Sequence, residues 1–309
     1  MSNSMNRITQ KLLEIVSDYK NGFKGAYNIR EDGKCVGREC SENILIETKA
    51  DKPGINVTIR PGTKGETVYI PSCVTQGGVD DLVYNDFFVG EDADIKIVAG
   101  CGVHTDDDHT ARHNGIHHFH LAKNARVLYE EKHVGTGKGG GTHSINPVTS
   151  AELEEGSYLE INATQISGID QASRQTRATV AADAKLVVRE RLFTEGVQKT
   201  TTVFKVELNG DGSSADLVSR SVARDQSYQT MDSCIIGNAA CTGHSECDSI
   251  IDGDAVVDAS PRLFARNPDA SLIHEAAIGK IAGEQILKLR TLGLTEEQAE
   301  QEIIEGFLA

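Results

Sequence analysis

Apolar residues recur at three- and four-residue steps near both ends of the chain and in short β-branched runs between them. Met5, Ile8, Leu12, Val16 and Tyr19 follow the helical step and predict an amphipathic N-terminal helix within residues 1–24. The middle reads as strands, for example residues 43–47, 55–59 and 185–189, rich in Val, Ile and Leu and separated by Gly, Asp and Asn. Helical spacing returns at the C-terminus. Ile281, Ile286, Leu289 and Leu292 fall roughly on one face, Gly293 supplies a stop, and Thr295-Glu296-Glu297-Gln298 has the form of a capping box. Ala299, Ile303, Ile304 and Phe307 then make a second stripe. That stripe suits packing on the rest of the chain as well as it suits a partner.

A weak repeat organises the strands. A small residue precedes, by two positions, an aliphatic that opens a strand: Ala93/Ile95, Ala125/Val127, Ser157/Leu159, Ala184/Leu186, Ala215/Leu217 and Ala270/Leu272. The first three copies are thirty-two residues apart. Turn–small–x–aliphatic units without intervening helices predict a coiled β-solenoid whose rungs stack their aliphatics, with the terminal helices as caps over its open ends. A β-sandwich is the alternative, but it calls for regular hairpins, and Asn-Gly occurs only at Asn21, Asn114 and Asn209.

Composition narrows the function. With 309 residues the chain can bury a sizeable core, yet Trp is absent and aromatics make up 5%, so small aliphatics must fill it. Asp and Glu number 46 against 31 Lys and Arg, a net charge of −15, which argues against nucleic acid and anionic membrane as partners. No apolar run approaches the length of a membrane span, and the N-terminus lacks the form of a signal peptide, so a cytoplasmic protein is expected. In that setting seven cysteines suggest free thiols or metal ligands rather than disulfides.

Two constellations have ligand chemistry. Cys247 stands twenty-seven positions before His274, with Glu275 next to it, and a thiolate, an imidazole and a carboxylate suit iron or zinc. A buried cysteine beside an ordinary surface histidine is the simpler alternative. The second is the segment from Cys101 to His133, which holds seven of the ten histidines, with His118 and His120 on one face of a strand and His117 on the other. It could bind a transition metal or simply be a polar face. The glycine-rich run 135–142 departs from a phosphate loop, because Lys138 is followed by Gly rather than Ser or Thr, so it reads as a flexible connection. No GxSxG elbow or dinucleotide fingerprint supports an ordinary hydrolase or dehydrogenase.

The C-terminal residues resemble the signature of the SufB/SufD family of the SUF iron–sulfur cluster assembly system. The resemblance rests on Asn267-Pro268-Asp269-Ala270, His274-Glu275-Ala276, Ile278-Gly279-Lys280-Ile281, Glu284-Gln285, Leu289-Arg290, Leu292-Gly293-Leu294 and Glu305-Gly306-Phe307, with Glu246-Cys247-Asp248-Ser249 upstream. It is strong over roughly the last eighty residues and diffuse before them.

The resemblance implies a mainly β protein, a right-handed parallel β-helix over residues 25–275 with a helical domain over 276–309. It implies that this domain docks on a SufC-type ABC ATPase, through Ile286, Leu289, Leu292, Ile303, Ile304 and Phe307. It also implies pairing with a second SufB/SufD subunit or with itself as a homodimer, a cysteine desulfurase as sulfur donor, and a transient nascent cluster at the subunit interface. Cys247 takes the place of the family's cluster-building cysteine, with a depressed thiol pKa expected, and His274 and Glu275 match the end of its Glu-His-Glu motif. Ile273 stands where that motif has its first Glu, a SufD-like departure. The expectation is a non-enzymatic scaffold that binds no nucleotide itself. The alternatives are a SufD-like structural partner of the ATPase and a metal-dependent enzyme using His118 and His120.

Overall fold

The computed structural model describes residues 5–20 and 22–308, so the first four residues and Asn21 of the Asn21-Gly22 pair lie outside it. The chain is mainly β, a solenoid of about eight turns with one N-terminal and two C-terminal helices. Helix α1 spans Arg7–Ser17, with Asn6 as its cap accepting from the Thr9 N–H. Two antiparallel pairs follow: β1 (Ala26–Glu31) with β2 (Lys34–Glu39), and β3 (Ile44–Thr48) with β4 (Gly54–Ile59).

From there the strands alternate between two parallel sheets. Sheet 1 continues with β5 (Lys64–Tyr69) and β6 (Ser72–Val74), and sheet 2 with β7 (Asp80–Val89). Next come β8 (Asp94–His104) in sheet 1, β9 (Ala111–Leu121) in sheet 2 and β10 (Arg126–Thr136) in sheet 1. Sheet 2 takes β11 (His143–Ile145), β12 (Val148–Leu153), β14 (Gln171–Val180), β16 (Lys199–Leu208), β18 (Tyr228–Gly237) and β20 (Val256–Ala265). Sheet 1 takes β13 (Tyr158–Ser167), β15 (Lys185–Thr194), β17 (Ser214–Ala223), β19 (Thr242–Ile251) and β21 (Ser271–Gly279).

The core is a set of stacked columns. In sheet 1, Ile95, Val127, Leu159, Leu186, Ala215, Gly243 and Leu272 are in register. In sheet 2, Val57, Phe87, Phe119, Ala151, Ala178, Val206, Ile235 and Leu263 are. One of the repeat copies needs correction and one more belongs in the series. Ala215, not Leu217, stacks on Leu186, so the copy in register is Ser213/Ala215, and the next, Cys241/Gly243, carries no aliphatic to reveal it. Before the first five of these small residues, Ala93 to Ser213, the chain turns through the left-handed region, at Asp92, Asn124, Gly156, Asp183 and Gly212. Asp, Asn and Gly tolerate that conformation best, which is why these residues punctuate the repeat.

The helices are not end caps. Helix α1 lies on the outer face of sheet 1, where β8 presents Gly100 and Gly102. A Cβ on Gly100 would sit 2.4 Å from the Val16 carbonyl oxygen, and one on Gly102 would sit 2.9 Å from Leu12. The glycines let the buried Leu12 and Val16 reach the sheet. Helix α2 (Gly283–Thr291) and helix α3 (Glu296–Leu308) pack on one another, and α3 lies against β17 of the same face. Thr295 and Gln298 exchange the two hydrogen bonds of a capping box, and Gly293 adopts a positive φ. Among the described residues, nothing covers the end formed by β20 and β21, where Val256, Phe264, Ile273 and Ile278 are exposed. The chain leaves β21 at Gly279, four residues past the expected domain boundary at 275. Among the described residues, no helix is long and apolar enough to cross a membrane.

The glycine-rich run links β10 to β11 as an ordered corner. Its Gly139 and Gly141 N–H groups donate to the carbonyls of Thr105 and Asp107 in the corner beneath. It packs where a Cβ would clash, on carbonyl oxygens rather than around an anion.

Candidate functional site at the open end

Alternation along β19 and β21 sorts the candidate residues onto two faces. Cys247 and His274 face inward: Cys247 opposes Ala276, and His274 opposes the buried Ser245. Glu275 opposes Glu246 and points outward. The strand register therefore places Cys247 and His274 on one side of the sheet and Glu275 on the other, and the three do not converge.

Glu275 has other company. The donor atoms of His244, Glu246 and Glu275 lie within 4.8 Å of one another. His244 Nε2 is 3.8 Å from Glu275 Oε2, and its Nδ1 is 2.9 Å from Asp216 Oδ1. Arg189 holds the other Asp216 oxygen at 2.7 Å. Burial would raise the Asp216 carboxyl, but hydrogen bonds from His244 and Arg189 outweigh it and hold the group below the usual range. Burial and the neighbouring Asp248 push the Glu246 carboxyl up. His244, Glu246, Asp216 and Arg189 line a cleft of about 340 Å³. An imidazole oriented by one carboxylate and flanked by two others is a borderline-metal donor set with its supporting partner in place. Sequence reasoning missed His244, Glu246 and Asp216, although the alternation in Thr242–Ile251 sets His244 and Glu246 on the face opposite Cys247.

Cys247 is 6% exposed and belongs to the hydrophobic core. Burial drives its thiol up to about 11, opposite to the depressed value expected of a ready nucleophile, and the Glu190 and Asp248 carboxylates add to the rise. It sits at the end of an inward column that reads Ala99, Glu131, Ala163, Glu190, Ser219, Cys247, Ala276 from rung to rung.

The column is charged and buried. Arg174, on β14 of the facing sheet, bonds Glu131 through Nη1 and approaches Glu190 Oε1 with Nε at 3.2 Å. Thr202 and Ser219 donate to the two Glu190 oxygens at 2.9 and 2.7 Å. Arg174 Nη2 donates to His133 Nδ1 at 3.1 Å, which leaves the His133 proton on Nε2. Tyr129 donates to Glu131 and lies 3.0 Å from His117 Nδ1. Burial keeps both His133 and His117 below the usual histidine value, His117 at about 4.

The histidine-rich segment thus divides. His113, His117 and His133 are interior, with Gly115 making room between the first two, and His104 bonds Thr136. His118 and His120 are outside on β9, half-buried. Of the residues expected to dock a partner, Ile304 is buried, Ile286, Leu289, Ile303 and Phe307 are half-buried, and Leu292 is 73% exposed. The interhelical and sheet contacts use much of this apolar surface, leaving Leu287 and Leu292 free of it.

Comparison with known proteins bears on this end of the molecule. Residues 84–307 match the family model described as SUF system FeS cluster assembly, SufBD core domain. An iron-sulfur cluster assembly SufBD family protein of Methanocaldococcus jannaschii is 27% identical over 292 residues, 92% of this chain and 90% of that protein. One from Archaeoglobus fulgidus is 28% identical, covering 89% and 73%. One from Methanothermobacter thermautotrophicus is 28% identical over 86% of this chain, and the chain spans 64% of that protein's length. The family match includes the solenoid from β7 onward and both C-terminal helices, and the chain belongs to the SufBD family of iron–sulfur cluster assembly proteins.

Proposed function

We propose that this chain is a scaffold on which an iron–sulfur cluster is built at the open end of the solenoid. The observation that carries the reading is the uncovered β19–β21 edge, with a thiol on its inner face and His244, Glu246 and Glu275 on its outer face. Iron, as cargo, suits the imidazole and carboxylates, and Cys247 suits either an iron ligand through its thiolate or attack on the outer sulfur of a donor persulfide, whose cysteine then leaves as thiolate. The exposed apolar residues of β20 and β21 suit pairing with a second copy of the chain or with another SufB/SufD subunit. Leu287 and Leu292 on the α2 side suit docking of a SufC-type ABC ATPase, with sulfur supplied by a cysteine desulfurase in the cytoplasm. Cys247 is held protonated in the closed solenoid, and movement of the helical pair driven by the ATPase is the step that would open the edge and free it.

The test is anaerobic co-purification with the cognate ATPase, followed by iron and acid-labile sulfide analysis and a visible spectrum. A chromophore in the wild type that disappears in Cys247→Ser supports the scaffold. Firm ATPase binding with no iron or sulfide in either form would instead support a SufD-like structural role. Ile273, 54% exposed where the family motif has an acid, favours that second reading.

A further inference from the structure

We propose that His118, His120 and Glu152 form a second metal site, for one divalent transition-metal ion, on the outer face of sheet 2. It shares no residue with the β19–β21 end. Alternation along β9 sends both imidazoles outward, and the β9–β12 register sets Glu152 directly opposite His120. Glu152 Oε2 is 3.1 Å from His120 Nδ1, and Oε1 is 3.6 Å from His118 Nε2. All three donors lie within 4.8 Å of one another. Two ligands bound tetrahedrally at metal–ligand lengths of about 2.0–2.1 Å stand roughly 3.3 Å apart. Both carboxylate–imidazole separations are therefore close to what one shared ion requires.

The imidazoles are preset. His120 lies flat on Phe88, with ring centroids 4.8 Å apart and an interplanar angle of 4°, and the two histidine rings are 4.0 Å apart. Asp86 is in register with His118 on its other side, but Lys49 takes it up, so the set is three donors. Two imidazoles and a carboxylate select zinc, cobalt or ferrous iron over magnesium and calcium. The remaining coordination positions open beside a groove of about 490 Å³ lined by Phe88, His120, Leu121 and Glu152, room for water or a small ligand.

The test is anaerobic titration of the full chain with Co²⁺, read by its visible d–d bands. It is run in wild type, His118→Ala/His120→Ala, Glu152→Gln and, to remove the β19–β21 donors, His244→Ala/Glu275→Gln. The expected result, beside any equivalent taken by the β19–β21 donors, is one saturable equivalent that survives His244→Ala/Glu275→Gln. It should weaken at least about tenfold in Glu152→Gln, disappear in the double histidine variant, and yield to Zn²⁺ but not to Mg²⁺. Unchanged thermal midpoints without metal would show that these surface variants fold. The proposal is overturned if wild type binds no saturable equivalent, if the double histidine variant binds as wild type does, or if the equivalent disappears in His244→Ala/Glu275→Gln.

Discussion

Alkylation of Cys247 measures how firmly the closed solenoid holds its thiol. Burial lifts that thiol from 9.0 to about 11. Only thiolate is alkylated, so at pH 8 the reactive fraction falls from roughly one in ten for an ordinary thiol to about one in a thousand, a hundredfold, or about 2.7 kcal/mol. A thiolate of higher pKa is also the stronger nucleophile, which returns part of that hundredfold, while 6% exposure shields the sulfur from reagent and slows it again. The assay is pulsed alkylation of the full chain by iodoacetamide at pH 7 to 10, with peptide mass spectrometry reading each cysteine. Cys35 and Cys40 are exposed and serve as internal references. Cys247 should label at least about tenfold more slowly than they do at pH 8, with a rate still climbing nearly tenfold per pH unit between pH 9 and 10. Labelling of Cys247 on the same time scale as Cys35 at pH 8 would refute the argument that burial silences it.

Three further outcomes test the interior and the helix placement. Arg174→Met strips the cation from between Glu131 and Glu190 and should cost about 3–5 kcal/mol in urea unfolding, since it leaves buried carboxylates uncompensated; a loss under about 1 kcal/mol would contradict the network. His117 keeps a folded pKa of about 4, below its unfolded value near 6.5, so the unfolded chain gains a proton first as pH falls, and stability present above pH 6.5 is lost toward pH 4. Between pH 7 and pH 5 the wild type should lose about 2 kcal/mol more than His117→Gln, measured by paired denaturation curves. Gly100→Ala drives a Cβ into Val16 and should cost roughly 1–3 kcal/mol and expose α1 to proteolysis, whereas Gly279→Ala, with open space around it, should do neither.

How much was legible in the sequence depended on whether a signal is local. Helix α1, the capping box at Thr295 and the stop at Gly293 are written within a few residues, and each is where the spacing put it. The solenoid was visible because Asp92, Asn124 and Asp183 repeat a turn conformation and Ala93, Ala125 and Ala184 a stack position. The repeat faded where Ala215 and Gly243 stand in place of the aliphatic two positions after Ser213 and Cys241. Helix placement was not legible. What sets α1 on the face rather than the end is a pair of outward glycines on β8, and their meaning depends on which strand face they occupy. The buried Glu131–Arg174–Glu190 set joins residues 43 and 16 positions apart, and no one-dimensional pattern distinguishes it from surface charge.

The same limit explains the candidate site. In sequence, Cys247, His274 and Glu275 form one group; in three dimensions the one-residue offset between His274 and Glu275 carries them to opposite sides of a sheet. The outer donors are half-buried to exposed and meet solvent in the single chain, while the thiol is core. A cluster using both sets would have to bridge that sheet, and β21 is its last strand, bonded to a neighbour on one side only. An edge strand is the part of a solenoid that can shift or accept another chain without breaking the stack behind it. Loss of cluster in Cys247→Ser together with its retention in Glu275→Gln would assign the chemistry to the inner face. Loss in both would require β21 to move or a second chain to contribute, and slow Cys247 alkylation that accelerates when the ATPase and ATP are added would distinguish that movement from a static interface.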